Sequence, residues 1–169
     1  MTLSKLDQYY QYYKNEMFDS YNINNFLVFA EGEKVGFVTN ILVDEYDGRF
    51  RYLIIDTGFW VFSIKVLLPV GLACLNYEDK HLYVPGLTKE QINNLPEFSE
   101  DLVINNDYEQ RVRDVYRPLV QIKNLRPFYK ADTYNYTLEP YFYEVSDRNL
   151  KLYEEYFIMR KENNHVKIR

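Results

Sequence analysis

The sequence predicts a mainly β protein: a small β-barrel with an N-terminal helix before it, short helices after it, and an irregular α+β extension at its C-terminal end. Three observations carry that prediction. The stretch from Gly32 to Leu75 packs three apolar strand candidates between turn signals, with a run of aromatics at its centre. Within it, residues 35–43 are apolar on both faces, Val35, Phe37, Ile41 and Val43 on one and Val38 and Leu42 on the other, as a strand buried on both sides, or one bent around a barrel with a helix outside it, requires. Pro69 stands in a further strand candidate, where a residue with no amide donor marks an edge or a bulge at a barrel corner.

Taken in order, Leu6, Tyr10, Tyr13 and Met17 recur at helical spacing and place a short amphipathic helix in an N-terminal arm, residues 1–25, with the turn-rich SYNINN closing it. Aromatics at that spacing more often cover a core than stack on a ligand. Residues 26–30 form a first strand, and Glu31, Gly32 and Glu33 turn the chain into the 35–43 strand. Glu45 to Gly48 carry an Asp-Gly hairpin signal. In the next strand, residues 49–56, Arg51 is expected outward against Phe50, Tyr52 and Ile54. Residues 65–70 resume the sheet, 76–80 turn, and 81–84 make a last short strand.

Thr88 with Gln91 three residues on makes a capping box for a helix over 89–95, stopped by Pro96. Asp107 opens a second helix, with Tyr108, Val112 and Val115 on one face and Pro118 at its end. The rest, within a region taken as 99–169, is rich in tyrosine. Residues 138–145 read as a strand interrupted by Pro140, and SDRN at 146–149 as a turn. Residues 150–161 fit both periods, and the alternation of Leu150, Leu152, Tyr156 and Ile158 favours strand over the helical set Leu152, Tyr156 and Met159. The last ten residues read as a frayed basic tail.

At 169 residues the chain buries about 70% of its unfolded surface when compact, so it needs no disulfide. Its single cysteine, Cys74, lies in an apolar run, which fits a reducing compartment and a structural thiol, and a cytoplasmic location is expected. No export signal or membrane-spanning apolar run is present. Twenty Lys and Arg against 25 Asp and Glu give a net charge of -5, which disfavours direct nucleic-acid binding. Acids concentrate over 97–109, and Arg111, Arg113, Arg117, Lys123, Arg126 and Lys130 follow. These blocks could dock on each other or on a second copy, but two solvated faces are the preferred reading.

Catalytic and metal chemistry find little support. Asp44 and Asp56 end strand candidates and could pair as acid and base, although strand-end aspartates usually cap turns. His81 and His165 are the only histidines and have no HExxH or CxxC partners, so no metal site is expected. No glycine-rich phosphate cradle or GxSxG elbow occurs, and neither an enzyme nor a cofactor is expected. Phe59, Trp60 and Phe62 are the candidate partner-binding residues: three large rings beside Gly58, either projecting from the barrel edge or plugging its end.

The segments GEKVGFVTNILVDEYDGRFRYLIIDTG and KVLLPVGLACLNYEDKHLYVPGLTKEQINNLPEF strongly resemble a PRC-barrel domain, over residues 26–98. That family includes the cytoplasmic domain of the photosynthetic reaction-centre H subunit and the C-terminal domain of a ribosome-maturation factor that binds a small-subunit ribosomal protein. The resemblance implies a six-stranded barrel acting as a protein-binding or assembly module. Asp56-Thr-Gly-Phe-Trp60, followed by a helix like Tyr108-Glu-Gln-Arg-Val-Arg113, is similar to a cyanobacterial subgroup whose members often carry a stress-associated C-terminal domain. Leu150-Lys-Leu-Tyr-Glu-Glu155 resembles the opening of that domain, of which little follows, so it is expected to be missing or vestigial.

The expected function is therefore a non-enzymatic, homo-oligomeric adaptor linked to photosynthetic or stress-related complexes, with peripheral association to a membrane complex also compatible. Two alternatives stay open. One is a small-ligand binding protein or unfamiliar enzyme using the barrel mouth near Asp56, and the other is association with a ribosomal protein.

Overall fold

The computed structural model describes residues 2–10, 22–58, 64–120 and 134–167, with side chains up to residue 162. Its centre is a seven-stranded mixed sheet of β1 (Leu3–Lys5), β2 (Leu27–Ala30), β3 (Glu33–Asp44), β4 (Phe50–Asp56), β5 (Lys65–Pro69), β6 (Cys74–Asn76) and β7 (His81–Tyr83). The strand order is β5-β4-β3-β2-β7-β6, with β1 added on β3. Every pairing is antiparallel except that of β2 with β7.

β3 organises the sheet. One of its edges pairs with β4, while the other is shared: its first part takes β2, with Phe37 opposite Leu27, and its last part takes β1, with Asp44 opposite Leu3. Register shifts after Val38 and after Leu42 bend it, which lets a 12-residue strand bury residues on both faces. At the β2–β3 turn Glu31 and Gly32 both have positive φ, 52° and 78°, the geometry of a two-residue hairpin whose twist matches its strands.

Among the described residues the strand path stays open, with β5 and β6 at its ends. Pro69 closes β5 at that edge, as its missing amide requires. The outer rim of β5 is occupied: the Phe98 amide donates to the Lys65 carbonyl at 2.7 Å and the Tyr116 hydroxyl to the Leu67 carbonyl at 2.8 Å. Such covering removes the unpaired row that would recruit a foreign strand. β6, which the sequence reading did not mark, lies on the far side of β7.

The short helices follow their signals. α2 (Lys89–Asn94) has the full Thr88/Gln91 capping box, and α3 (Asn106–Tyr116) starts from Asn105, whose side chain accepts from the Tyr108 amide at 2.9 Å. Pro118 sits in a 3-10 turn, Arg117–Leu119, that ends α3. At the N-terminus α1 (Leu6–Tyr9) is a single turn, preceded by β1 over Leu3–Lys5, a strand that the sequence reading did not mark. Leu6 and Tyr10 are buried as expected of the apolar stripe, whereas Tyr13 and Met17 lie outside the described residues.

Four sequence readings are corrected. The strand expected over 138–145 is instead a 3-10 turn, Tyr136–Leu138, followed by α4 (Pro140–Tyr143), with Pro140 at the first helical position, where its missing amide costs nothing. The turn and strand expected over 146–161 are one long helix, α5 (Arg148–Lys167), opened by the Asp147 side chain accepting from the Leu150 amide at 2.9 Å. Its buried face is Leu150, Tyr153, Glu154 and Phe157, a helical set that crossed the alternating one. Third, Arg51 is buried rather than outward, because the C-terminal segment covers that side of β4: its guanidinium sits 4.4 Å from the Tyr136 ring centroid and contacts Asp44, at 3.4 Å, and Asp47, at 2.8 Å. Glu109 and Arg113 of the charged blocks are likewise buried rather than solvated.

The core thus lies between the sheet and the C-terminal elements, with Phe50, Leu53, Leu67 and Leu82 meeting Val112, Phe142 and Leu150 in one cluster. Gly71 marks the closest approach. A Cβ there would fall 2.4 Å from the Tyr141 carbonyl oxygen and 2.9 Å from that of Glu144, both backbone atoms. Gly71→Ala will therefore lower stability by about 1–3 kcal/mol through overpacking, read as a lower urea midpoint with an unchanged slope. An unchanged midpoint would show that residues 141–144 yield freely.

α5 is tied to the β3–β4 hairpin by Glu154, which accepts from the Phe50 amide at 2.8 Å and from Arg49 at 3.1 Å. Burial pushes its carboxyl above the ordinary range, against the lowering effect of the Phe50 amide and Arg49. A carboxyl raised on folding supports the fold fully below its unfolded pKa, and that support is lost as pH rises through the folded value. The melting-temperature advantage of the natural protein over Glu154→Gln will accordingly shrink as pH rises above the ordinary glutamate range, about pH 4. An advantage that grows over that rise would mean the ion pair with Arg49 outweighs burial.

Candidate functional site

The parallel ladder sets Leu27 beside His81, Val28 beside Leu82 and Phe29 beside Tyr83. Because side chains alternate along a strand, the burial of Val28, Ala30 and Leu82 in the core puts Leu27, Phe29, His81 and Tyr83 on the opposite, outer face. The Phe29 and His81 rings touch, with centroids 4.5 Å apart, and Tyr83 is 50% exposed. Beside them lies a groove of about 590 Å³, lined by Phe29, His81, Tyr83, Val84, Leu87 and Glu31 of the β2–β3 turn. Cys74 stands opposite Tyr83 on β6. Burial, and then the nearby Asp147 carboxylate, push its thiol above the ordinary value, which keeps it protonated and a poor nucleophile.

On another side of the sheet, β4, α3 and α4 enclose a polar web. Glu109 accepts from the hydroxyls of Tyr52, at 2.8 Å, and Tyr136, at 2.7 Å, while Tyr52 and Tyr143 share a hydrogen bond of 2.6 Å. Arg113 donates to the Tyr143 hydroxyl at 3.0 Å and lies 3.7 Å from the Tyr134 ring centroid. Glu139, fully buried, accepts from Arg117 at 2.8 Å and from the Tyr141 hydroxyl at 2.5 Å, with the Arg113 guanidinium 4.0 Å away. Burial raises the phenols of Tyr52, Tyr134 and Tyr136, and pushes that of Tyr143 up to about 12. They are neutral donors at physiological pH, and the two carboxylates are occupied by them and by arginines. The web fastens the C-terminal segment to the sheet. A cleft of about 350 Å³ borders it, but its charged groups are largely matched in pairs, Arg51 with Asp47, Arg49 with Glu154 and Lys151 with Glu144.

The proposed residues divide accordingly. Phe59, Trp60 and Phe62 lie outside the described residues. Asp44 and Asp56 are not brought together: Asp56 pairs with Phe37, and Asp44 lies seven residues further along β3, about 24 Å at strand rise. Each caps a turn instead, Asp44 accepting from the Tyr46 amide at 2.9 Å and Asp56 from the Gly58 amide at 2.8 Å. Among the described residues no group of three or more His, Cys, Asp or Glu side chains could hold a metal ion. The outer aromatic face was missed. Its signal was present in the alternation of Leu27-Val28-Phe29-Ala30 and His81-Leu82-Tyr83-Val84, but without the parallel pairing nothing placed the two runs side by side.

Residues 15–91 match the family model of the PRC-barrel domain. The matched stretch takes in the sheet from β2 to β7 and the first turn of α2, while much of the polar web and α5 come from residues beyond the match. A protein of Deinococcus radiodurans, itself described only as uncharacterised, is 35% identical over 86 residues, which are 49% of this chain and 31% of that protein. The shared stretch is thus under a third of the relative's length. No helix among the described residues is long and apolar enough to cross a membrane.

Proposed function

We propose that the chain is a non-enzymatic protein-binding module whose contact surface is the outer face of the PRC-barrel domain at β2 and β7. The observation that carries this is the row Leu27, Phe29, His81 and Tyr83. A sheet face exposing an aromatic at half its surface beside a groove is the composition of a binding hot spot, where a tyrosine contributes about 2 kcal/mol or more. The match of residues 15–91 to the PRC-barrel domain model favours protein interaction over catalysis. The partner class we favour is a second copy of the chain or a member of an assembly. The narrower setting, a photosynthetic or stress-related complex in the cytoplasm, rests on the family resemblance and the sequence composition alone.

The double variant Phe29→Ala, Tyr83→Ala tests this reading. It will stay folded, because both side chains stand on the outer face, and it will weaken association by about thirtyfold. Self-association is read by equilibrium sedimentation and partner capture by affinity purification from the native cell. A monomer at high micromolar concentration would remove the second copy. Unchanged association in both measurements would remove the face.

A further inference from the structure

The groove beside Phe29 and Tyr83 has an uneven charge: Glu31 is the one carboxylate in its lining, and no lysine or arginine lines it. Among the described residues Glu31 has no ion-pair partner, whereas its neighbour Glu33 is held by Lys89 at 2.7 Å. We propose that this groove receives the guanidinium of an arginine side chain presented by the protein partner, a reading that rests on the partner-binding role of the face.

Three features favour arginine. A guanidinium is planar and weakly hydrated, so it stacks on ring faces such as those of Phe29 and Tyr83, which the ladder sets side by side. Its forked donors match the Glu31 carboxylate in a bidentate pair. Its methylene stem would lie along the apolar part of the lining, to which Val84 and Leu87 belong. The turn that carries Glu31 is open beside it: a Cβ built on Gly32 meets no atom within 4 Å. Lysine, a compact and strongly hydrated charge, uses neither the stacking nor the fork.

The test titrates the full chain with acetyl-Gly-Arg-Gly-amide, with the same peptide carrying citrulline, which has the shape of arginine without its charge, and with the lysine peptide. The ring resonances of Phe29, His81 and Tyr83 are followed by NMR. The arginine peptide will shift those rings and bind about tenfold more tightly than the citrulline peptide. Glu31→Gln, at an exposed turn residue, will remove most of that preference and leave the melting temperature unchanged. Equal binding of citrulline, tighter binding of lysine, shifts confined to other residues, or no shift at millimolar peptide would each overturn the proposal. If the peptide fails while Phe29→Ala, Tyr83→Ala still abolishes association, the face remains a partner surface and only the arginine assignment falls. If the peptide binds and that double variant associates normally, the groove and the partner surface are separate.

Discussion

Arg113→Met will lower the unfolding free energy by about 3–5 kcal/mol, the cost of removing one member of a buried charged web. Arg113 is 2% exposed, and its guanidinium serves the Tyr143 hydroxyl, the Gln110 side chain, the Tyr134 ring and the flank of Glu139 together. Methionine fills the volume but leaves Glu139, itself wholly buried, with Arg117 as its remaining cation. Arg113→Lys will recover little, since an ammonium neither stacks on Tyr134 nor spreads its donors in a plane. Urea unfolding followed by near-ultraviolet circular dichroism reads the tyrosine environment directly. A loss below about 1 kcal/mol would mean that the web opens to water when the charge is removed.

Phe142→Ala will cost about 3–5 kcal/mol, as for other large aromatic truncations in a core. The ring is fully buried, touches the rings of Tyr141 and Tyr143, and belongs to the segment that closes over Gly71. Because Phe142 and Arg113 both act through Tyr143, the double variant will lose less than the sum of the single losses. Additive losses would show two independent fastenings. The folded fraction of either variant should still bind through β2 and β7, which lie in a different part of the sheet from these contacts.

Most of the sheet was legible because local chemistry decides it. Turn residues at Glu31-Gly32 and Asp47-Gly48, the two-sided apolar run of β3, and the Thr88/Gln91 box each act within a few residues of themselves. The C-terminal segment was not legible for the converse reason. Pro140 suits the first turn of a helix as well as it interrupts a strand, and Leu150 to Met159 satisfies both periods. What decides the matter is the wall they cover, the side of β4 bearing Arg51 and Tyr52. Arg51 looked like a solvent residue because its partners, Asp44 apart, come from the turn at Asp47 and from residues 136–143. The outer aromatic face was hidden by topology rather than chemistry, since β2 and β7 meet across more than fifty residues of chain.

The attachment of α5 has a consequence for the order in which the molecule forms. The Phe50 amide finds its acceptor on Glu154, 104 residues later, and Tyr10 stacks on Phe157 from the other end of the chain. A ribosome delivers β3 and β4 long before it delivers either partner. The hairpin can zip at once, but one wall stays wet and sticky until the last helix emerges, because closing such distant contacts is entropically slow. Folding should therefore finish only once α5 has emerged, with a nascent intermediate that a chaperone would recognise by its bare tyrosine wall.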